Sequence, residues 1–287
     1  MAWAYQTVSS YGTSNANVAR LVLQTKELAG ITTLSQVDRD NLVAAAFRLA
    51  LRMANAETAA QELQDRAQSS FDALKDDHRR GDAIELPYLQ GLEILFEGFF
   101  YNAKNIVRDL GSLMKEVYGK SFSKASDWCA FGQRDSEVSR YLHRLSSERH
   151  PGFATVRNLV DNFRPNVELI VQTRNAVEHP GGASGTVIVQ NFRPAGDGIA
   201  APTFWFEDKE DKIYEIARTL ADLHGGLLEM AETVIVFGLL HKFADPNLGI
   251  FRIAEADRDP KAPMAYRVIQ VTDDMRKGSR PFNGRPE

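Results

Sequence analysis

From Leu42 to Leu74 the apolar residues recur in steps of three and four: Leu42, Ala46, Leu49, Met53, Ala56, Ala60, Leu63, Ala67, Phe71 and Leu74. That spacing places them on one face of a single long helix. An apolar stripe of this length is not stable alone in water, so something equally long must cover it. Asp38 or Asp40 can cap its start. Its end is expected near His78-Arg79-Arg80, where basic residues suit the negative end of the helix dipole and Gly81 offers a stop. The next segment supplies the cover. After Pro87, a second stripe runs through Leu92, Leu95, Phe96, Phe99, Ala103, Ile106, Leu110, Leu113 and Val117, with Gly119 as its terminator. Two long helices joined by a short connection pack antiparallel, which is bundle geometry.

The remaining pattern extends the bundle. Residues 1–37 read as an N-terminal arm with a short helical stretch at Val18–Leu28. A helix is expected over Asp135–Leu145 and a break at His150-Pro151-Gly152, followed by a helix over Ala154–Phe163. Pro165 then fits the first turn of a new helix carrying Val167, Ile170, Val171 and Val177. After Gly181-Gly182 the period changes to two. Residues 186–192 read as a strand and Thr203-Phe204-Trp205-Phe206 as its hairpin partner, connected through Pro194-Ala195-Gly196-Asp197-Gly198. A last long helix begins near Ile213 and runs to Gly238, and short strands follow near 249–253 and 265–271, which could join the hairpin. The fold class is therefore mainly α (α+β): an antiparallel helical bundle with an inserted β-hairpin near 186–207 and a small antiparallel sheet. One domain spans 38–272, and residues 273–287 form a basic, solvated C-terminal tail.

With 287 residues and 44% hydrophobic content, the chain can build a core without disulfides or structural metal. Cys129, the single cysteine, has no intrachain partner and reads as a small buried hydrophobe beside Trp128. Phe99-Phe100-Tyr101 continues a helix stripe and reads as core, and Trp205 as packed against the bundle. The start, Met1-Ala2-Trp3-Ala4, lacks the look of a signal peptide, so the cytoplasm is the expected location. The longest apolar run, Val234–Leu240, is far below the roughly 18 residues of a membrane span, so no membrane association is expected. A net charge of −4 excludes a dedicated nucleic-acid coat and leaves room for a local RNA site. No phosphate-binding glycine loop, zinc helix or metal-ligand spacing is present, and neither metal nor cofactor is expected.

Plausible chemistry concentrates in Arg174-Asn175-Ala176-Val177-Glu178-His179, just before Pro180-Gly181-Gly182. Arg174 follows Val167 by nearly two helical turns and so shares its inward face. An arginine there needs a partner. Glu178 is one turn away on the same helix, and Asp109 or Glu97 could serve from another. On a continuous helix His179 would be offset from Arg174 by about 140°. Pro180 disfavours the α region for the residue before it, which should release His179 from the helix and let its imidazole swing back. Read plainly, the segment is a helix ion pair with a histidine at the helix end.

Arg, then Asn, then His after three further residues near a helix end resembles the signature of the HEPN superfamily (higher eukaryotes and prokaryotes nucleotide-binding). That pattern is Arg, four to six residues, then His, with Asn often directly after the Arg. Arg144 with His150 and Arg218 with His224 match the loose spacing too, but only Arg174 is followed by Asn. Glu178 departs from the family's usual small or apolar residue before the His. The resemblance implies a helical bundle that is often dimeric. Its function would then be one of two. The first is a metal-independent endoribonuclease of toxin or defence type. There His179 would be general acid or base, Arg174 would stabilise the phosphorane, Asn175 would orient the phosphate, and Glu178 would support. The second is a non-catalytic interaction module that binds a protein partner, an antitoxin for instance, or a nucleotide. The partners implied are a second copy of the chain, RNA or a protein.

Overall fold

The computed structural model describes residues 11–73, 79–80, 83–84, 86–130, 135–148, 153–195 and 198–271. The expected features at Leu74, His78, Gly81, His150-Pro151-Gly152, Gly196-Asp197 and the 273–287 tail lie outside these residues. The fold is mainly α with small antiparallel sheets, as the periodicities predict. In chain order the helices are α1 (Ala16–Val18), a π turn (Ala19–Leu23), α2 (Gln24–Gly30), α3 (Gln36–Asp72), α4 (Leu92–Tyr118), α5 (Glu137–Glu148), α6 (Phe153–Glu178) and α7 (Ile216–Leu240). Nine strands complete it: β1 (Arg79–Arg80), β2 (Ala83–Ile84), β3 (Val187–Gln190), β4 (Arg193–Ala195), β5 (Gly198–Ala200), β6 (Thr203–Phe206), β7 (Lys209–Glu215), β8 (Leu248–Arg252) and β9 (Tyr266–Gln270) among the described residues.

The two long stripes find each other as expected. α3 packs along α4, and α7 packs on α3, α4 and α6. Leu42, Leu49, Met53 and Leu63 of α3 are fully buried, as are Phe96, Phe99, Ile106 and Leu110 of α4. α7 is apolar and long enough to cross a membrane, yet here it is a core helix whose residues are largely buried by its neighbours.

Several boundaries differ from the sequence reading. Ser35, not an aspartate, caps α3, its hydroxyl accepting from the Asp38 N–H at 3.2 Å. Arg79 and Arg80 pair with Ala83 and Ile84 as an extended hairpin and do not end a helix. α4 starts at Leu92 behind Gly91, which has φ 77°, and not at Pro87. Gly119, with φ 84°, ends α4 as expected, its N–H donating to the Lys115 carbonyl at 2.9 Å. Two expected helices merge into α6, with Pro165 inside. The proline removes one backbone donor, but Val156, Val160, Phe163, Val167 and Ile170 form one buried face across it, and packing outweighs the break.

Ile213 belongs to β7 and not to a helix, so α7 begins at Ile216. β3, β6 and β7 form one antiparallel sheet in that order, and the predicted pairing of β3 with β6 holds from Val187–Phe206 to Gln190–Thr203. β8 and β9 pair only with each other and do not join it. Phe204 fastens the sheet to the bundle, its ring 5.0 Å from Phe96 and 5.9 Å from Phe100. Trp205 alternates to the other face and is half-buried there, so the anchoring expected of it belongs to Phe204 and Phe206.

The N-terminal segment is more than an arm. Leu21 and Leu28 enter the core, and the π turn carries Arg20 to Glu232 of α7, with Arg20 Nε donating to Oε2 at 3.0 Å. Gln24 donates to the other carboxylate oxygen at 3.0 Å and accepts from the backbone N–H groups of Ala265 and Tyr266. Glu57 of α3 accepts from Asn15 and Asn17.

His224 of α7 adjoins this network. Burial is the main influence on it and holds its pKa below the usual imidazole value. Glu57 and the Met53 carbonyl pull it up, and Arg20 pushes it down. A depressed imidazole pKa means the unfolded chain takes up the proton first as pH falls. Stability from this residue is therefore present above about pH 6.5 and is lost as pH falls toward the folded pKa. Urea midpoints between about pH 7.5 and 5 are expected to fall more for the wild type than for His224→Gln. Parallel profiles would contradict this.

Candidate functional site

The predicted site lies where the end of α6 meets the middle of α4. α6 ends at Glu178, and His179 leaves it at a bend, as Pro180 requires. The backbone then folds tightly. The His179 N–H donates to the Asn175 carbonyl at 2.9 Å, and Gly182 donates back to the His179 carbonyl at 2.9 Å. Gly181 at φ 73° and Gly185 at φ 78° hold left-handed conformations that favour glycine, which allows this reversal.

Arg174 does face inward, with 13% of its side chain exposed. Its partner is Glu178, with Nη2 2.6 Å from Oε1. Asp109, considered as an alternative, pairs with Arg52 instead. The guanidinium also lies over the Tyr101 ring, 5.3 Å from its centroid. Lys104 of α4 completes the group. Its Nζ donates to Asn175 Oδ1 at 2.7 Å and to Glu178 Oε2 at 3.3 Å. The Glu178 carboxylate is thus held between two cations, one on each of its oxygens.

Burial is the main force lowering the pKa of both cations. For Arg174, Tyr101 and Glu97 oppose it. For Lys104, the neighbouring Arg174 and Arg108 add to it. Two like charges packed together are what one shared carboxylate relieves.

The structure therefore brings together three of the four predicted residues, Arg174, Asn175 and Glu178. His179 is separate. It is exposed, and among the described residues no side chain hydrogen-bonds its imidazole. Lys104 and Tyr101 were missed. Tyr101 was read as core with Phe99 and Phe100, but those two are fully buried while Tyr101 is 52% exposed. The helical step could have shown it, because Ile94, Tyr101 and Arg108 share a face opposite the stripe. Lys104 has no such local signal, since its partners lie some seventy residues away in sequence.

Among the described residues no group of His, Cys, Asp and Glu is placed to hold a metal ion. Cys129 is buried beside Trp128, and burial pushes its thiol up to about 11, with Glu168 and Asp127 adding to the effect. It is a packed residue with little thiolate character. Arg218 pairs with Asp222 on α7, and His224 is the half-buried residue beside the Glu57 network described above, so that Arg…His spacing makes no site. No family model, curated protein or solved structure matches this chain.

Proposed function

We propose that the protein is a non-catalytic, HEPN-like interaction module that pairs with a second copy of itself across the α4–α6 face. The observation that carries this is the double engagement of Glu178 by Arg174 and Lys104. Arg174 Nη2 and the Lys104 ammonium are drawn to Glu178, and the Asn175 oxygen accepts from Lys104, so the polar groups a phosphorane would meet are tied to one another. The cluster then acts as a structural clasp between two helices.

Beside it lies a surface suited to a partner. Ile94 is 76% exposed and Tyr101 52% exposed. They are nearly two turns apart on the outer side of α4. Exposed aromatic and aliphatic side chains in a polar rim are typical of contact surfaces. The rim carries both signs of charge, with Glu97 and Glu178 against Lys104, Arg108 and Arg174. A mixed rim suits a two-fold interface, where each patch meets its own copy.

A second reading, the metal-independent endoribonuclease, is favoured by one observation, the exposed His179 directly after Glu178, whose imidazole no described side chain hydrogen-bonds. In that reading an RNA phosphate displaces Glu178. One experiment separates the two. Wild type and His179→Ala are incubated with structured and single-stranded RNA in chelator, and the association state is followed by sedimentation. The module reading expects no His179-dependent cleavage and a dimer that Ile94→Glu converts to monomer. Cleavage by wild type that His179→Ala abolishes would overturn it. So would a wild type that stays monomeric at about 100 μM, a concentration at which a micromolar dimer is mostly associated.

A further inference from the structure

A second cluster of cations, at the far end of α4 from Ile94, differs from the clasp in one respect: among the described residues none of its cations is ion-paired with a carboxylate. Lys120 follows the end of α4, and Arg140 and Arg144 stand one turn apart on α5. With Glu137 and Tyr141 they line an open depression of about 310 Å³. All three cations are exposed. Among the described residues none of them forms a salt bridge or donates a side-chain hydrogen bond.

Two of them are nevertheless held in place. Arg144 lies over the Tyr141 ring, 5.3 Å from its centroid. Lys120 Nζ lies 5.4 Å from the Tyr141 centroid and 4.7 Å from that of Phe122. Tyr141 is fixed in turn. Its hydroxyl donates to the Tyr118 carbonyl at 2.7 Å, and its ring meets Phe122 edge-on at 5.6 Å. A ring face positions a cation electrostatically without accepting its N–H bonds. The donors of Lys120 and Arg144 therefore remain available, whereas Arg174 and Lys104 share the Glu178 carboxylate.

We infer that this depression binds a small phosphate-bearing ligand, either free phosphate or a phosphate monoester. Three cations against one carboxylate match a dianion. Guanidinium groups bind tetrahedral oxyanions through paired N–H donors, and Lys120 adds a point charge. The depression exceeds what a bare phosphate fills, leaving space for an organic group along α5. The site is independent of the dimer proposed above and of its α4–α6 face.

The test uses the full-length protein in calorimetric titrations with inorganic phosphate and with 5′-AMP. Saturable binding that weakens as salt rises is expected for at least one probe. Stronger binding of 5′-AMP identifies a monoester, and equal binding identifies free phosphate. Arg140→Gln with Arg144→Gln should weaken binding by about tenfold or more. Glu137→Gln, which removes the one carboxylate, should tighten it. No saturable binding of either probe, or binding unchanged in the double variant, overturns the proposal. If the double variant fails to fold, Glu137→Gln decides: affinity no higher than wild type then overturns it.

Discussion

Glu232→Ala is expected to destabilise the protein by about 3 kcal/mol or somewhat more, the range for breaking a buried ion pair from one side. Glu232 is 2% exposed and sits in the most apolar helix of the fold. Its loss strands the Arg20 guanidinium and one donor of Gln24. Arg20 keeps 14% of its side chain exposed, so water recovers part of the lost interaction, which places the estimate at the lower end of the range. At roughly 2–4 °C per kcal/mol for a chain of this size, Tm should fall by roughly 6–12 °C.

Two further readouts separate the network from simple loss of packing. The amides of Ala265 and Tyr266, which donate to Gln24, should exchange faster with solvent than in the wild type. The double variant Arg20→Met with Glu232→Leu should recover most of the stability, because replacing both charges leaves none unpaired. A double variant as unstable as the single one would show that the loss arises from the geometry of the site and not from an orphaned charge.

Phe96→Ala is expected to cost about 3–5 kcal/mol, the usual range for deleting a buried phenyl ring. The ring is fully buried where α4 meets the sheet, 4.8 Å from Phe100 and 5.0 Å from Phe204. Part of the cost is the cavity. Another part is the two ring contacts, one tilted and one edge-on, each worth about 0.5–1.5 kcal/mol beyond burial. Phe96→Leu refills most of the volume and should cost much less. Chemical denaturation of the three proteins checks the order. Because Phe204 joins sheet to bundle, the strand amides of β6 should lose protection first in the alanine variant. A uniform loss over α3 and α4 instead would mean that sheet and bundle unfold as one unit.

The helical frame was legible because its signal is local. Ten apolar positions from Leu42 to Leu74 and nine from Leu92 to Val117 repeat at the helical period, and burial follows that period from Leu42 to Leu63 and, Leu95 apart, from Leu92 to Val117. The β3–β6 pairing was legible for the same reason, with alternation and turn residues in one short stretch. Boundaries were less so. Pro165 carries a strong local signal for a break, yet the buried face on both sides of it continues the helix. β7 was hidden because Ile213 fits the helical spacing of α7 as well as it fits a strand, and only pairing with β6 decides between them.

At the candidate site, local spacing was enough to turn Arg174 inward, to put Glu178 within its reach, and to have Pro180 release His179. Each follows from backbone geometry within one or two turns. The docking of α4 against α6 is what lets Lys104 share that carboxylate and sets Tyr101 beneath the guanidinium. Tertiary packing likewise brought Lys120 to Arg140 and Arg144. Such pairings depend on how helices distant in sequence dock. Docking is set by the sum of many apolar contacts along the helices and not by the polar residues that happen to meet across them.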